Sequence, residues 1–394
     1  MHRDQLFDIA IRWLNDDLRD DDGRRLTEIF LFESAVSAPC VQDFMLRFFT
    51  RLYGGDLGVE RVQYKNVLRE RFIEHVPAYT ARIRQLVMAY RESPEEFFPG
   101  MPVDAIALYA SGDRLVSVSR IKRPARVAEK ASFRMADALA GKIRREAEVF
   151  ASARALVRGI PLGMLISTEA QMRADFVEAE RVVAAGFRNG EIRFDRDSLT
   201  INDIIGFKVI GDERDIVQAE IMLAREPGIT VVEREDHRGH YNATNLLLDI
   251  ELPSVAEIID QNRDRDWAEA AHRGLDPATA KKNFEVYVES GARVVRTELI
   301  LTTYPELIES ELGRSLHELR ILRLRERQPY SGQIAQNARY LIEFLFALAY
   351  APTTTIDELP VKMWGRYLPD TVLAAVSTLF GAKQNGLLKW FLPV

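Results

Sequence analysis

The densest chemical signal in this 394-residue chain is the stretch SRIKRPARVAEK, Ser119 to Lys130. Five of its twelve side chains are Arg or Lys, and only Glu129 opposes them. A guanidinium offers a planar fork of donors and an ammonium offers a compact charge, so Arg120, Lys122 and Lys130 suit an anion rich in oxygen atoms. Two carboxylates lie downstream in apolar company. Asp203 opens the run DIIGFKVIG, and Glu298 sits inside VVRTELILT. A carboxylate within an apolar strand is expensive to bury unless it has a partner or a metal. On neighbouring strands, Asp203 and Glu298 would hold Mg²⁺ and orient or deprotonate a hydroxyl, which is what nucleotide transfer requires. The plainer alternative is that each lies at a strand end facing water.

The whole chain carries 53 basic and 59 acidic side chains, a net charge of −6. Its surface as a whole therefore fits no general nucleic-acid or membrane binder. From Arg114 to Arg158, however, twelve Lys or Arg face four Asp or Glu, an excess of eight, which leaves −14 for the rest. Such an island is either a phosphate-docking surface or a solvated helix face.

The familiar cofactor loops are missing from the sequence: GxxxxGK[ST], GxGxxG after a strand, HExxH and GxSxG. The histidines at 2, 75, 237, 240, 272 and 317 are scattered, and His237 and His240 read as loop residues. The acidic DDLRDDDG segment reads as a solvated turn. With Cys40 alone, no internal disulfide forms, which fits a reducing compartment. The N-terminal residues do not read as a secretion signal, and no uninterrupted apolar run approaches the roughly 18–20 residues that span a bilayer. The expectation is a cytoplasmic protein.

These residues need elements to position them. Residues 1–100 read as helical from apolar residues every three or four positions, and SPEEFFPGMP closes that region. AIALYASGDRLVSVSRI reads as two extended stretches around a turn. Two helices follow, over AEKASFRMADALAGKIRREAEVFASARALV and TEAQMRADFVEAERVVAAGF. After them the predicted order is strand (SLTINDIIGFKVIG), helix (ERDIVQAEIMLAREPG), strand (ITVVERE), strand (YNATNLLLDIEL), helix (SVAEIIDQNRDRDWAEAAHRG) and strand (ARVVRTELILTT). A long helix over YPELIESELGRSLHELRILRLRER and a second over GQIAQNARYLIEFLFALAY complete the pattern, with the last forty residues largely helical. The predicted class is α+β, a mixed sheet covered by helices on at least one face.

The order of these features resembles the synthetase domain of the RelA/SpoT family. Those alarmone synthetases move pyrophosphate from ATP to the ribose 3′ hydroxyl of GTP or GDP. The family's Arg-x-Lys pair, with a Lys eight residues on, is similar to Arg120, Lys122 and Lys130. Its Asp strand is similar to DIIGFKVIG with Asp203, its tyrosine strand to HYNATNLLL with Tyr241, and its Glu strand to TELILTT with Glu298. His317 then falls on the following helix. The resemblance covers roughly residues 101–328. It implies a nucleotidyltransferase-like sheet with helical insertions at about 131–195 and 254–291, and a helical C-terminal region at 329–394. It implies that Arg120, Lys122 and Lys130 grip the ATP phosphates and that Asp203 coordinates Mg²⁺. Tyr241 would stack on the acceptor base, and Glu298 would activate the 3′ hydroxyl and share the metal. Asn245 and Lys208 stand at acceptor positions.

Several positions depart from that pattern. Asn245 replaces a His, His240 a Gly, Lys208 an Arg, and Ile300 and Thr302 a Gln and an Arg. These changes fall mainly around the acceptor, so a toxin-type pyrophosphokinase acting on the tRNA 3′ end and a non-catalytic nucleotide-binding scaffold stand as alternatives. No His-Asp dipeptide occurs, so no alarmone hydrolysis is expected. Insertions of this size commonly shield an active site or make subunit contacts, as in a homo-oligomer.

Overall fold

The structure is a computed structural model that describes residues 3–111, 113–122, 124–192, 194, 201, 204–239, 242–313, 332–349, 351 and 353–380. Asp203, Tyr241, His240 and His317 lie outside the described residues. In chain order the elements are α1 (Arg3–Leu14), α2 (Asp22–Tyr53), β1 (Gly58–Tyr64), α3 (Lys65–Glu74), α4 (Ala81–Glu92), β2 (Pro102–Ala110) and β3 (Arg114–Ile121). Then come α5 (Pro124–Val157), α6 (Glu169–Arg188), β4 (Ile205–Gly211), α7 (Glu213–Leu223), β5 (Ile229–His237) and β6 (Ala243–Glu251). The order continues with α8 (Val255–Gln261), α9 (Ala268–His272), α10 (Pro277–Ser290), β7 (Val294–Thr303), α11 (Tyr304–Leu312), α12 (Gln333–Leu348) and α13 (Pro369–Leu379).

The strands form one seven-stranded mixed sheet in the order β1-β2-β3-β4-β7-β6-β5. Every neighbouring pair is antiparallel except β4 and β7, which run parallel. This is the mixed α+β architecture the sequence predicts. Alternation along the strands sends Phe207, Val209, Leu246, Leu248, Leu299 and Leu301 to one face, where they pack with α2, α5 and α12 in the main core. Length and composition would let α2 cross a bilayer, but in this fold its Phe32, Phe44, Phe48 and Phe49 are central to that core. The opposite face is covered over β1–β4 by α3, α4 and α11, through Leu68, Phe72, Ile83, Leu307 and Leu312.

Four local readings of the sequence change. Residues 1–100 contain a strand, β1, whose GVERVQY buries only Val62 and so leaves no periodic signal; backbone pairing with β2 makes it a strand. Asp22 of the acidic turn is buried rather than solvated, accepting from Trp13 Nε1 at 2.8 Å and Arg19 N at 3.1 Å and pairing with Arg12. The helix expected from Ser254 onward breaks into α8 and α9 around Asp266, whose Oδ1 accepts from Ala268 N at 2.8 Å. Asp and Asn favour such caps over helix interiors. His237 ends β5 rather than lying in a loop.

Candidate active site

Register places the charged residues in rows across the sheet. Gly206 of β4 pairs with Arg120 of β3 on one side and Glu298 of β7 on the other, and Glu298 pairs in turn with Leu247 of β6. The adjoining row runs Val118, Lys208, Ile300, Asn245. Residues two apart on a strand share a face, so Arg120, Lys208, Glu298 and Asn245 all lie opposite the main core. Lys122 extends β3, its backbone N donating to Ile204 O at 2.8 Å. Its Nζ lies 4.0 Å from Glu298 Oε2.

Gly206 explains how β3 and β7 can meet across β4. A Cβ built there would stand 3.3 Å from Glu298 O and 3.5 Å from Glu298 Oε2. The missing side chain leaves room for the carboxylate to lean over β4 toward Lys122. Glu298 and Lys122 remain partly open, at 27% and 23% exposure. One row further on, Arg296 and Asp249 form a bidentate pair with both contacts at 2.7 Å.

Beneath α11 lies a second ionic group that sequence reasoning missed. Glu311 Oε1 accepts from Arg120 Nη2 at 3.0 Å and from Lys208 Nζ at 3.3 Å. Arg69 of α3 is fully buried, with Nε donating to Glu311 O at 3.1 Å and Nη1 donating to Phe97 O. Burial would raise the Glu311 carboxyl, but Arg120, Lys208, Lys65 and Arg69 together hold it well below the usual carboxylate range. Burial lowers the Lys208 ammonium against the opposing pull of Glu311. It also brings Lys65 down to about 8, with Glu311 opposing and the neighbouring cations assisting. Nothing in KNVLRERFIE marks Lys65 and Arg69 as site residues, because they come from a different region of the chain. Glu311 reads in sequence as one more acid on an amphipathic helix.

Across this face Lys65, Arg69, Arg120, Lys122 and Lys208 stand against Glu298 and Glu311, five minus two, or +3. That balance favours a polyanion. Of the remaining expected residues, Lys130 is half-buried on α5, beside Val127, Ala128 and Ala131, which pack into the main core. Asn245 is half-buried on β6. Asn242 anchors the start of β6 by donating from N and Nδ2 to Glu306 of α11, at 2.6 and 2.9 Å. Among the described residues no three His, Cys, Asp or Glu side chains gather as a metal site. Mg²⁺ is commonly held by one or two carboxylates, with substrate phosphates and water completing its shell, and the part-exposed Glu298 fits that donor set.

No family model matches the sequence, and no curated protein matches it. Among solved structures, the chain is similar to the small alarmone synthetase 1 from Bacillus subtilis at 12% identity and a TM-score of 0.21, covering 44% of this chain and 71% of that one. It is similar to the same synthetase bound to its product pppGpp at 15% identity and a TM-score of 0.22, covering 70% of this chain and 92% of that one.

Proposed function

We propose that this chain is a Mg²⁺-dependent pyrophosphokinase of the RelA/SpoT synthetase type, moving pyrophosphate from ATP to the ribose 3′ hydroxyl of GTP or GDP. The observation that carries the reading is the row Arg120–Gly206–Glu298, with Lys122 Nζ 4.0 Å from Glu298 Oε2. It sets two cations beside a part-exposed carboxylate on one face of the sheet. The order of motifs in the sequence supports the same assignment.

In this reading Arg120 and Lys122 bind the ATP phosphates, with Lys130 completing the grip. Glu298 accepts the proton of the 3′ hydroxyl, whose oxygen attacks the β-phosphorus. The bond from that phosphorus to the α–β bridging oxygen breaks, and AMP leaves with the electron pair. Glu298 and Asp203 would hold Mg²⁺, which neutralises charge developing on the phosphates when bound. Tyr241, Asn245 and Lys208 would receive the acceptor nucleotide. Transfer of this kind relies on positioning and electrostatics rather than covalent catalysis.

A second acceptor follows from α5, which begins two residues after Lys122 and carries Arg144 and Arg145 exposed, with Arg158 exposed in the turn just past its end. Such a line fits an RNA backbone and would bring the tRNA 3′ end to the same chemistry. Incubation of the purified protein with γ-labelled ATP, Mg²⁺ and GDP, GTP or deacylated tRNA separates the cases. Label on a guanine nucleotide supports the proposal, and label on tRNA alone supports the second reading. ATP binding without transfer to any acceptor makes the protein a scaffold and overturns both.

A further inference from the structure

We infer that Glu311 is a positioning residue, whose buried carboxylate fixes Arg120 and Lys208 in the orientation that receives the phosphates of a bound nucleotide. The inference rests on the proposed nucleotide site and adds to it a residue that never touches substrate.

Three observations carry it. Glu311 is 7% exposed, and one oxygen, Oε1, accepts from both Arg120 Nη2 and Lys208 Nζ, at 3.0 and 3.3 Å. A single acceptor shared by side chains from β3 and β4 constrains both at once. Among the described residues Arg120 Nε is buried without an acceptor, and the hydrogen bond from Nη2 to Glu311 orients the guanidinium. Finally, Glu311 occupies the last turn of α11, where the helix dipole disfavours negative charge. A buried carboxylate in that place stays ionised only because the cations surround it. Arg69 fixes the backbone of the same residue by donating to its carbonyl. Glu311 is thus held at its backbone by Arg69 and at its carboxylate by Arg120 and Lys208, two side chains of the charged face.

A mere counterion and a positioning residue predict opposite results. Removing a counterion leaves the cations bare and strengthens polyanion binding. Removing a positioning residue lets Arg120 and Lys208 swing, and weakens it. The test is titration calorimetry of the full chain with Mg·ATP and, separately, with inorganic pyrophosphate, comparing wild type, Glu311→Gln and Glu311→Asp. Thermal melts run alongside to confirm that the variants fold. We expect Glu311→Gln to raise both dissociation constants roughly tenfold, the scale of one charge-assisted hydrogen bond. Glu311→Asp keeps the charge, retracts the carboxylate by one methylene and gives a similar loss, which keeps the test decisive if the Gln variant fails to fold. Wild-type or tighter binding by a folded variant overturns the inference while leaving the proposed function intact. If wild type binds both ligands but transfers nothing, the proposed function fails and the binding comparison still decides the role of Glu311. If wild type binds neither, both are overturned.

Discussion

Arg120 and Glu298 pair with the same residue, Gly206, from opposite sides, so a cation of β3 and a carboxylate of β7 lie in one row with only a glycine between them. Any larger residue in the middle strand would stand in that gap. The site is therefore built by an absent side chain as much as by the charged ones.

Gly206→Ala tests this spacing. The new methyl would meet Glu298 O at 3.3 Å, so the β7 backbone that carries the carboxylate must give by a few tenths of an ångström, and it would touch Oε2 at an ordinary 3.5 Å. Overpacking of this kind costs about 1 kcal/mol. We expect a small fall in melting temperature and a roughly tenfold loss of transfer, since small misplacements of reacting groups are amplified in rate. Unchanged transfer would show that Glu298 does not depend on the gap.

Arg69→Met tests the lock between α3 and α11. The substitution removes both donors and leaves Glu311 O and Phe97 O without them, within a buried site. Breaking such a buried arrangement costs about 3 kcal/mol. Equilibrium denaturation should show that loss as a lower midpoint. A midpoint equal to wild type would mean that packing alone holds α11 on the sheet.

The Lys65 ammonium gives a pH signature. Burial lowers its pKa to about 8 from the ordinary lysine value of 10.5. The penalty for burying its charge is present in full below about pH 8. It is relieved as pH rises from 8 to 10.5, because the folded state releases the proton first, so this group makes stability rise across that window. Anion affinity goes the other way, since the same deprotonation removes one positive charge from the cluster. Pyrophosphate should bind several-fold more weakly at pH 9 than at pH 7, with a midpoint near 8 in calorimetric titrations. Lys65→Arg, which stays charged, should flatten that step. A step that survives the substitution belongs to another group.

The sheet and the charged rows were legible because strands with one buried face alternate. DIIGFKVIG and VVRTELILTT show their buried and polar sides directly in sequence, and register then puts Lys208 and Glu298 on the same side. Arg120 and Lys122 were legible from their alternate spacing. β1 was not, because a polar edge strand that buries only Val62 has no pattern to show. The Glu311 group was not, because its members come from α3, β3, β4 and α11. Only the packing of α11 on the sheet brings Lys65, Arg69, Arg120 and Lys208 around one carboxylate. Asp22 illustrates the same limit: a run of acids reads as solvent-facing, while Trp13 and Arg12 draw one of them inside.

The central claim is that Glu298 carries out the transfer on the face where Arg120 and Lys122 bind phosphate. The direct measurement is the rate of label transfer from γ-labelled ATP to the acceptor by Glu298→Gln, with the Mg·ATP dissociation constant determined on the same preparation. We expect at least a hundredfold loss of transfer, the range for removing a positioned general base, with nucleotide binding kept within a few-fold of wild type. Transfer at the wild-type rate by Glu298→Gln would contradict it.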